Sequence, residues 1–138
     1  MILKVHIQTL DHETEIELKK DQGLYRLLIL KSKSDYDKDP GTVWHGASSN
    51  EEPVKAINSL IIACHHVPHK PARITILDGM LVKIYSRYGE TELSLSINQF
   101  AEGSNEVILL QTLFDFCKHI VQDEAFDRYV TSTEDYFN

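Results

Sequence analysis

Residues 2–31, ILKVHIQTLDHETEIELKKDQGLYRLLILK, decide the fold because apolar and polar side chains alternate along most of this stretch. Residues 2–9 and 14–20 both alternate with a period of two, which predicts two strands of a hairpin that turns near Asp11 and His12. Residues 24–31 are apolar on both faces, which indicates a third strand in a more central position of the sheet.

A polar connection and a helix follow these strands. Residues 32–49 are rich in Asp, Gly and Ser, which predicts a loop apart from the short stretch 42–44. Ser49 stands three residues before Glu52, a capping-box spacing that predicts a helix start, and Pro68 ends the helix. The apolar face of this helix is formed by Val54, Ile57, Leu60, Ile61 and Cys64.

The second half of the chain has the same order of elements. Residues 73–77, 80–86 and 90–97 predict three strands, joined by tight turns at Asp78-Gly79 and Tyr88-Gly89. A second helix is predicted to begin at Ser104. Its apolar face is formed by Leu110, Leu113, Phe114, Cys117, Ile120 and Val121.

These elements together predict one α+β domain over residues 1–138. The tail, residues 123–138, is expected either to extend the second helix or to form a separate turn. The expected architecture is an antiparallel sheet of about six strands in the order βββα-βββα, with two main helices packed on one face, because each helix has a single apolar stripe.

Length and composition are those of a globular domain, with 138 residues, 42% hydrophobic and 25% charged. No apolar run approaches the ~20 residues that span a bilayer. The first residues also lack the order of a signal peptide. Cys64 and Cys117 fall on the apolar faces of the predicted helices, which is typical of reduced buried thiols. We therefore expect a cytoplasmic protein without a disulfide.

The net charge of −7 is concentrated at one end of the chain. Residues 102–138 contain eight acids and two bases, which sum to −6 and leave −1 for the rest. A surface of one sign accelerates the encounter with a partner of opposite sign and repels nucleic acid. The sequence therefore predicts a surface that binds a basic protein domain, with no direct binding of nucleic acid or membrane. The predicted contact residues, acids for steering and aromatics as anchors, are Asp123, Glu124, Phe126, Asp127, Tyr129, Glu134, Asp135 and Tyr136. The alternative for this segment is a solvated C-terminal helix with Phe126 and Tyr129 packed beneath it.

Residue types that bind metals occur without a matching pattern. Residues 64–69, CHHVPH, are the densest group of ligand types, but their spacing fits no zinc motif. Imidazoles at a helix C-terminus are also favoured by the helix dipole, which explains the group without a metal. Asp35, Asp37 and Asp39 begin like a calcium loop, yet Gly46 stands where the acid at position twelve belongs. We expect no metal at either place.

Catalytic patterns are equally incomplete. Cys117 and His119 are close in sequence, but they point to different faces of a helix. Glycine-rich nucleotide loops and the Gly-x-Ser-x-Gly motif of serine hydrolases do not occur. Glu13, Glu15 and Glu17 share one face of a strand, which is typical of a solvated or binding face. The sequence predicts a protein without catalytic residues or a cofactor.

A small acidic chain with this order of elements resembles the immunity proteins of bacterial toxin–immunity systems, including those of contact-dependent growth inhibition. The resemblance covers the whole chain in size, charge and element order, and it includes residues 76–79, 82–85, Phe100 and the helix over 104–120. It implies a protein that binds a cognate toxin domain, such as a basic nuclease, and neutralises it stoichiometrically. It assigns no role to any individual residue.

Two other functions stay open on the sequence. One is an enzyme or small-ligand protein with a site beside residues 42–49, using Trp44 and His45. The other is an adaptor subunit that assembles with itself, because an exposed sheet edge can pair with another copy.

Overall fold

The computed structural model describes residues 1–9, 12–32, 41–66 and 79–136, except the side chain of His66. These residues form six strands and three helices. The strands are β1 (Ile2–Gln8), β2 (Glu13–Asp21), β3 (Leu24–Lys31), β4 (Thr42–Ser48), β5 (Leu81–Tyr88) and β6 (Thr91–Ile97). The helices are α1 (Glu52–His66), α2 (Asn105–Val121) and α3 (Glu124–Glu134).

The strands form one sheet in the order β4-β3-β2-β1-β5-β6, and all neighbours are antiparallel. The chain winds outward from β1 to β4, crosses back through α1, and places β5 on the other side of β1. The α+β prediction, with a six-stranded antiparallel sheet, is confirmed.

Two short turns carry residues with positive φ that fix the hairpins. Gln22 (φ 51°) and Gly23 (φ 81°) connect β2 to β3, and two positive φ angles in a two-residue loop match the right-handed twist of the strands. Gly89 (φ 63°) connects β5 to β6, where a side chain would make this backbone conformation costly. These turns set the register that sends alternate side chains to opposite faces of the sheet.

The helices cover one face of the sheet, as predicted. α1 contacts β5 and β6, α2 contacts β4 and α1, and α3 contacts α2. The strand residues on this inner face are buried against the helices, among them Leu3, Val5, Ile7, Ile16, Leu18, Leu27, Ile29, Val82 and Ile84. The opposite face of the sheet, which we call the outer face, carries the alternate residues of each strand.

The structure corrects the prediction of a loop over residues 32–49, because Thr42–Ser48 forms β4. Gly46 lies within this strand, and a glycine among polar residues ordinarily predicts a loop. A Cβ atom at Gly46 would collide with the Ile120 side chain of α2, so the glycine allows strand and helix to approach. The predicted strand 73–77 lies outside the described residues.

Two helix boundaries also differ from prediction. α1 begins at Glu52, two residues after the start that a cap at Ser49 implies. The Glu51 carbonyl accepts a hydrogen bond from the Lys55 N–H at 3.0 Å, and the Asn50 side-chain oxygen accepts one from the Glu52 N–H at 3.2 Å. The tail forms a helix of its own, α3, rather than an extension of α2. Helix α2 ends at Gln122, whose backbone has a left-handed conformation (φ 50°). The apolar faces predicted for α1 and α2 are largely buried.

Candidate protein-interaction surface

The acidic end of the chain is built around the junction of α2 and α3. Ser104 begins α2 by accepting a hydrogen bond from the Val107 N–H at 3.3 Å. α2 ends where the Gln122 N–H donates to the Lys118 carbonyl at 3.1 Å. α3 begins at once, because the Asp123 carboxylate accepts a hydrogen bond from the Ala125 N–H at 2.7 Å. Helix capping therefore places the first turn of α3 beside the last turns of α2.

An open groove of about 540 Å³ lies at this junction. It is lined by Asp115, Lys118, His119, Gln122, Asp123, Glu124 and Asp127. Asp115, Asp123 and Glu124 are exposed, and Asp127 is half-buried. We call these four carboxylates the acidic junction. Three of them lie at the N-terminus of α3, where the helix dipole stabilises negative charge, so they support the helix and present charge to solvent.

Two predicted contact residues are corrected, because Phe126 and Tyr129 are buried in the core. The Phe126 ring meets Trp44 of β4 edge-on with centroids 5.1 Å apart, and the Tyr129 ring stacks on Trp44 at 6.0 Å. The Tyr129 hydroxyl lies 2.7 Å from Thr14 Oγ1 in β2, and burial raises the pKa of Tyr129. These rings pack α3 against the sheet and are not exposed for contact with a partner.

The remaining predicted residues lie at the far end of α3. Asp135 is exposed, whereas Glu134 and Tyr136 are half-buried. The Tyr136 N–H donates to the Thr133 carbonyl at 3.1 Å, and its ring packs against the edge of the core. The structure thus brings Asp123, Glu124 and Asp127 together with Asp115, which the sequence analysis did not select. That a partner binds there stays a prediction.

A second uncovered surface lies on the outer face at β3 and β4. Leu28, Leu30 and Val43 are 38%, 41% and 54% exposed, and we call them the open patch. Leu30 lies directly opposite Val43 in the strand register, so the three side chains are neighbours. The prediction placed β3 in a more central position of the sheet because both of its faces are apolar. β3 is second from the edge of the sheet, and its outer leucines are exposed.

The middle of the outer face is charged and concave. Glu13, Glu15 and Glu17 of β2 lie there, with Glu13 3.9 Å from His6 Nε2 and Glu17 3.1 Å from Lys19 Nζ. A groove of about 540 Å³ crosses this region between β2 and β6. Acidic and basic side chains both line it, together with other polar ones. They include Lys4, His6, Glu15, Glu17, Lys83 and Tyr85. The three glutamates therefore form a solvated face beside the open patch.

The candidate catalytic groups do not converge. Cys64 and Cys117 are buried free thiols, and burial raises the pKa of Cys64 to about 11 and that of Cys117 to about 12. Neutral thiols of this kind are poor nucleophiles. His119 is exposed, so it does not share the environment of Cys117. Trp44 is buried on the inner face of β4 and His45 is exposed on the outer face, so these two do not line one cavity.

The predictions about metal and membrane concern several parts of the chain. Within the described ranges, no group of three or more His, Cys, Asp and Glu side chains is placed to hold a metal ion. His69 and the three aspartates at 35, 37 and 39 lie outside those ranges, and His65 is exposed in the last turn of α1. None of the helices described is long and apolar enough to cross a bilayer.

Comparison of the chain with known protein families, with curated proteins and with solved structures finds no match.

Proposed function

We propose that this protein is an immunity protein that binds a basic bacterial toxin domain through the acidic junction and neutralises it stoichiometrically. The observation that carries the proposal is the placement of Asp115, Asp123, Glu124 and Asp127 around one open groove. They belong to the segment that holds −6 of the net charge of −7, so the partner that this surface fits best is a cationic one.

The packing of α3 makes the acidic junction a rigid platform. Phe126 and Tyr129 hold the inner side of α3 against Trp44, and the Asp123 cap fixes its first turn. Carboxylates on a fixed backbone lose less conformational freedom on binding than those on a loop. The fold therefore supports a preformed charged surface.

The proposed mechanism is competition for cationic groups. A nuclease holds phosphates with Lys and Arg side chains, and carboxylates presented at the acidic junction would pair with the same groups. Inhibition then consumes one protein per toxin. Electrostatic steering gives fast association that slows as salt is added, whereas dissociation depends less on salt.

The test needs a basic toxin domain as the partner, and a toxin gene adjacent to this one would supply it. In the double variant Asp115→Lys/Glu124→Lys, Asp123 remains and keeps the helix cap. We expect the dissociation constant to rise about tenfold or more, because close interfacial charge pairs couple by ~1.5 kcal/mol or more. Calorimetric titration and protection of toxin-producing cells measure the effect.

The matched control is Glu13→Lys/Glu90→Lys, which changes the net charge equally but lies on β2 and on the β5–β6 turn. It should slow association slightly and leave the bound state unchanged. Equal weakening by both variants would mean that overall charge, not the acidic junction, governs binding. Protection by trace amounts of the protein, with chemically altered toxin recovered, would make it an enzyme.

A further inference from the structure

Two lysines face the groove on the outer face of the sheet without a carboxylate partner. Lys4 of β1 and Lys83 of β5 line this groove of about 540 Å³, and both side chains are exposed. Among the residues that the structure describes, neither ammonium group has an ion-pair partner. In a chain with a net charge of −7, two unpaired cations in one cavity make that cavity a candidate binding site for an anion.

The strand register places a third basic side chain beside these lysines. His6 lies directly opposite Lys83. Lys4 lies directly opposite Tyr85, so the four side chains form a block across β1 and β5, which we call the basic block. On β1, β5 and β6, the outer-face neighbours of Lys83 are all neutral or basic. They are Lys4, His6, Gln8, Leu81, Tyr85, Ser94 and Ser96. Like charges on neighbouring strands repel each other, and a bound anion would remove this cost.

Small side chains on β6 leave space beside the basic block. Ser96 lies opposite Lys83, Ser94 precedes it on the same face, and both serines are exposed. The floor of the groove is backbone, because the groove is also lined by residues whose side chains are buried on the inner face. These are Val5, Ile16, Ile84 and Leu95. The volume of the groove is in the range of small-molecule sites, and the serine hydroxyls can donate hydrogen bonds to a ligand that the lysines attract.

We propose that this groove binds a small phosphate monoester, with the phosphate group held over the basic block. A phosphate monoester carries about two negative charges at neutral pH and three acceptor oxygens, which match two ammonium groups and the adjacent hydroxyls. A carboxylate carries one charge and would leave one lysine unpaired. The rest of the ligand extends towards β2, where Glu15 lines the groove and can accept hydrogen bonds from hydroxyl groups.

The acids that border the groove favour a small ligand over a nucleic acid. Glu15 and Glu17 line its β2 side, and Glu13 precedes them on the same face. On the β6 side, the Glu92 carboxylate accepts a hydrogen bond from the Tyr85 hydroxyl at 2.9 Å. A chain of phosphates that crosses the strands would meet these carboxylates and be repelled, whereas a single phosphate lies between them. The groove is on the outer face and the acidic junction is on the helices, so this proposal does not depend on the function proposed above.

The test is a titration of the full chain with glycerol phosphate, followed by the amide chemical shifts of isotope-labelled protein. We expect saturable shifts in β1, β5 and β6 around the groove. Lys4→Gln/Lys83→Gln should raise the dissociation constant about tenfold or more, because it removes both charge-assisted contacts. Lys4→Arg/Lys83→Arg keeps both charges and should retain binding. Ser96→Ala leaves the charge unchanged and should raise the dissociation constant about threefold or more.

The matched control is Lys20→Gln/Lys55→Gln, which removes the same charge from β2 and α1 outside the groove. It should change the dissociation constant by less than about twofold, because distant exposed charges are screened. Equal weakening by the two glutamine variants overturns the proposal, since overall charge would then explain the binding. No saturation at millimolar glycerol phosphate overturns it as well. Equally tight binding of inorganic phosphate would overturn the monoester in favour of free phosphate, and tighter binding of a single-stranded oligonucleotide would overturn it in favour of a nucleic-acid surface.

Discussion

The acidic junction and the open patch are both uncovered, yet they are built in opposite ways. At the acidic junction the apolar side chains of α3 are buried beneath the charges, as the burial of Phe126 and Tyr129 shows. At the open patch the apolar side chains themselves are exposed, and the uncharged strand β4 runs beside them. One surface offers charge on a rigid helix, and the other offers apolar area beside a strand that has one strand neighbour among the described residues.

This difference determines which kind of partner each region can recognise. Exposed carboxylates act at a distance and favour a cationic partner, although each solvated ion pair contributes little. Exposed leucines act only on contact, but removing their area from water stabilises a complex by ~25 cal/mol per Å². The two regions therefore suit a charged partner and an apolar one, respectively.

The largest expected effect tests whether the aromatic part of the acidic end belongs to the core. Phe126→Ala removes a fully buried ring between α3 and Trp44 and should lower the free energy of unfolding by about 3–5 kcal/mol. Urea denaturation measures it. Phe126→Leu keeps most of the volume and should cost less than about 2 kcal/mol. A loss below about 1 kcal/mol for the alanine variant would return Phe126 to the list of exposed anchors.

That aromatic side chains would be buried could have been predicted from spacing. Phe126, Tyr129, Val130 and Thr133 lie at i, i+3, i+4 and i+7, which places them on one face of a helix. The high charge of the segment favours exposure, whereas this period favours a buried apolar face. The acids of this segment are exposed or half-buried, because carboxylates avoid the core, but charge says nothing about the residues between them.

The sheet and its two main helices were predictable because their signals are local. Alternation in β1 and β2 and the apolar stripes of α1 and α2 follow from the sequence alone. β4 was not predictable, since Gly46 is explained only by Ile120, which is distant in sequence. The open patch was missed for a similar reason. A strand that is apolar on both faces has the same pattern whether or not its second face is covered.

The next prediction separates structural and binding roles of one acid at the junction. Asp123→Ala removes the hydrogen bond to the Ala125 N–H and should lower the free energy of unfolding by about 1 kcal/mol. Asp123→Asn keeps a capping oxygen and should cost only a few tenths of a kcal/mol while removing the charge. Thermal and urea denaturation of both variants measure the difference. If both lose equal stability, charge at the helix terminus matters more than the cap.

The smallest expected effect concerns the open patch itself. Leu30→Thr should change the free energy of unfolding by less than about 0.5 kcal/mol, because Leu30 is 41% exposed and threonine suits a strand. The adjacent residue is the matched control. Ile29 is fully buried on the inner face, so Ile29→Thr buries a hydroxyl and leaves a cavity, which should cost about 2 kcal/mol or more. Urea denaturation of the two variants compares neighbouring positions on opposite faces of one strand. If Leu30→Thr is as costly as Ile29→Thr, the patch is covered by the rest of the chain, and it is then part of the core rather than an exposed surface.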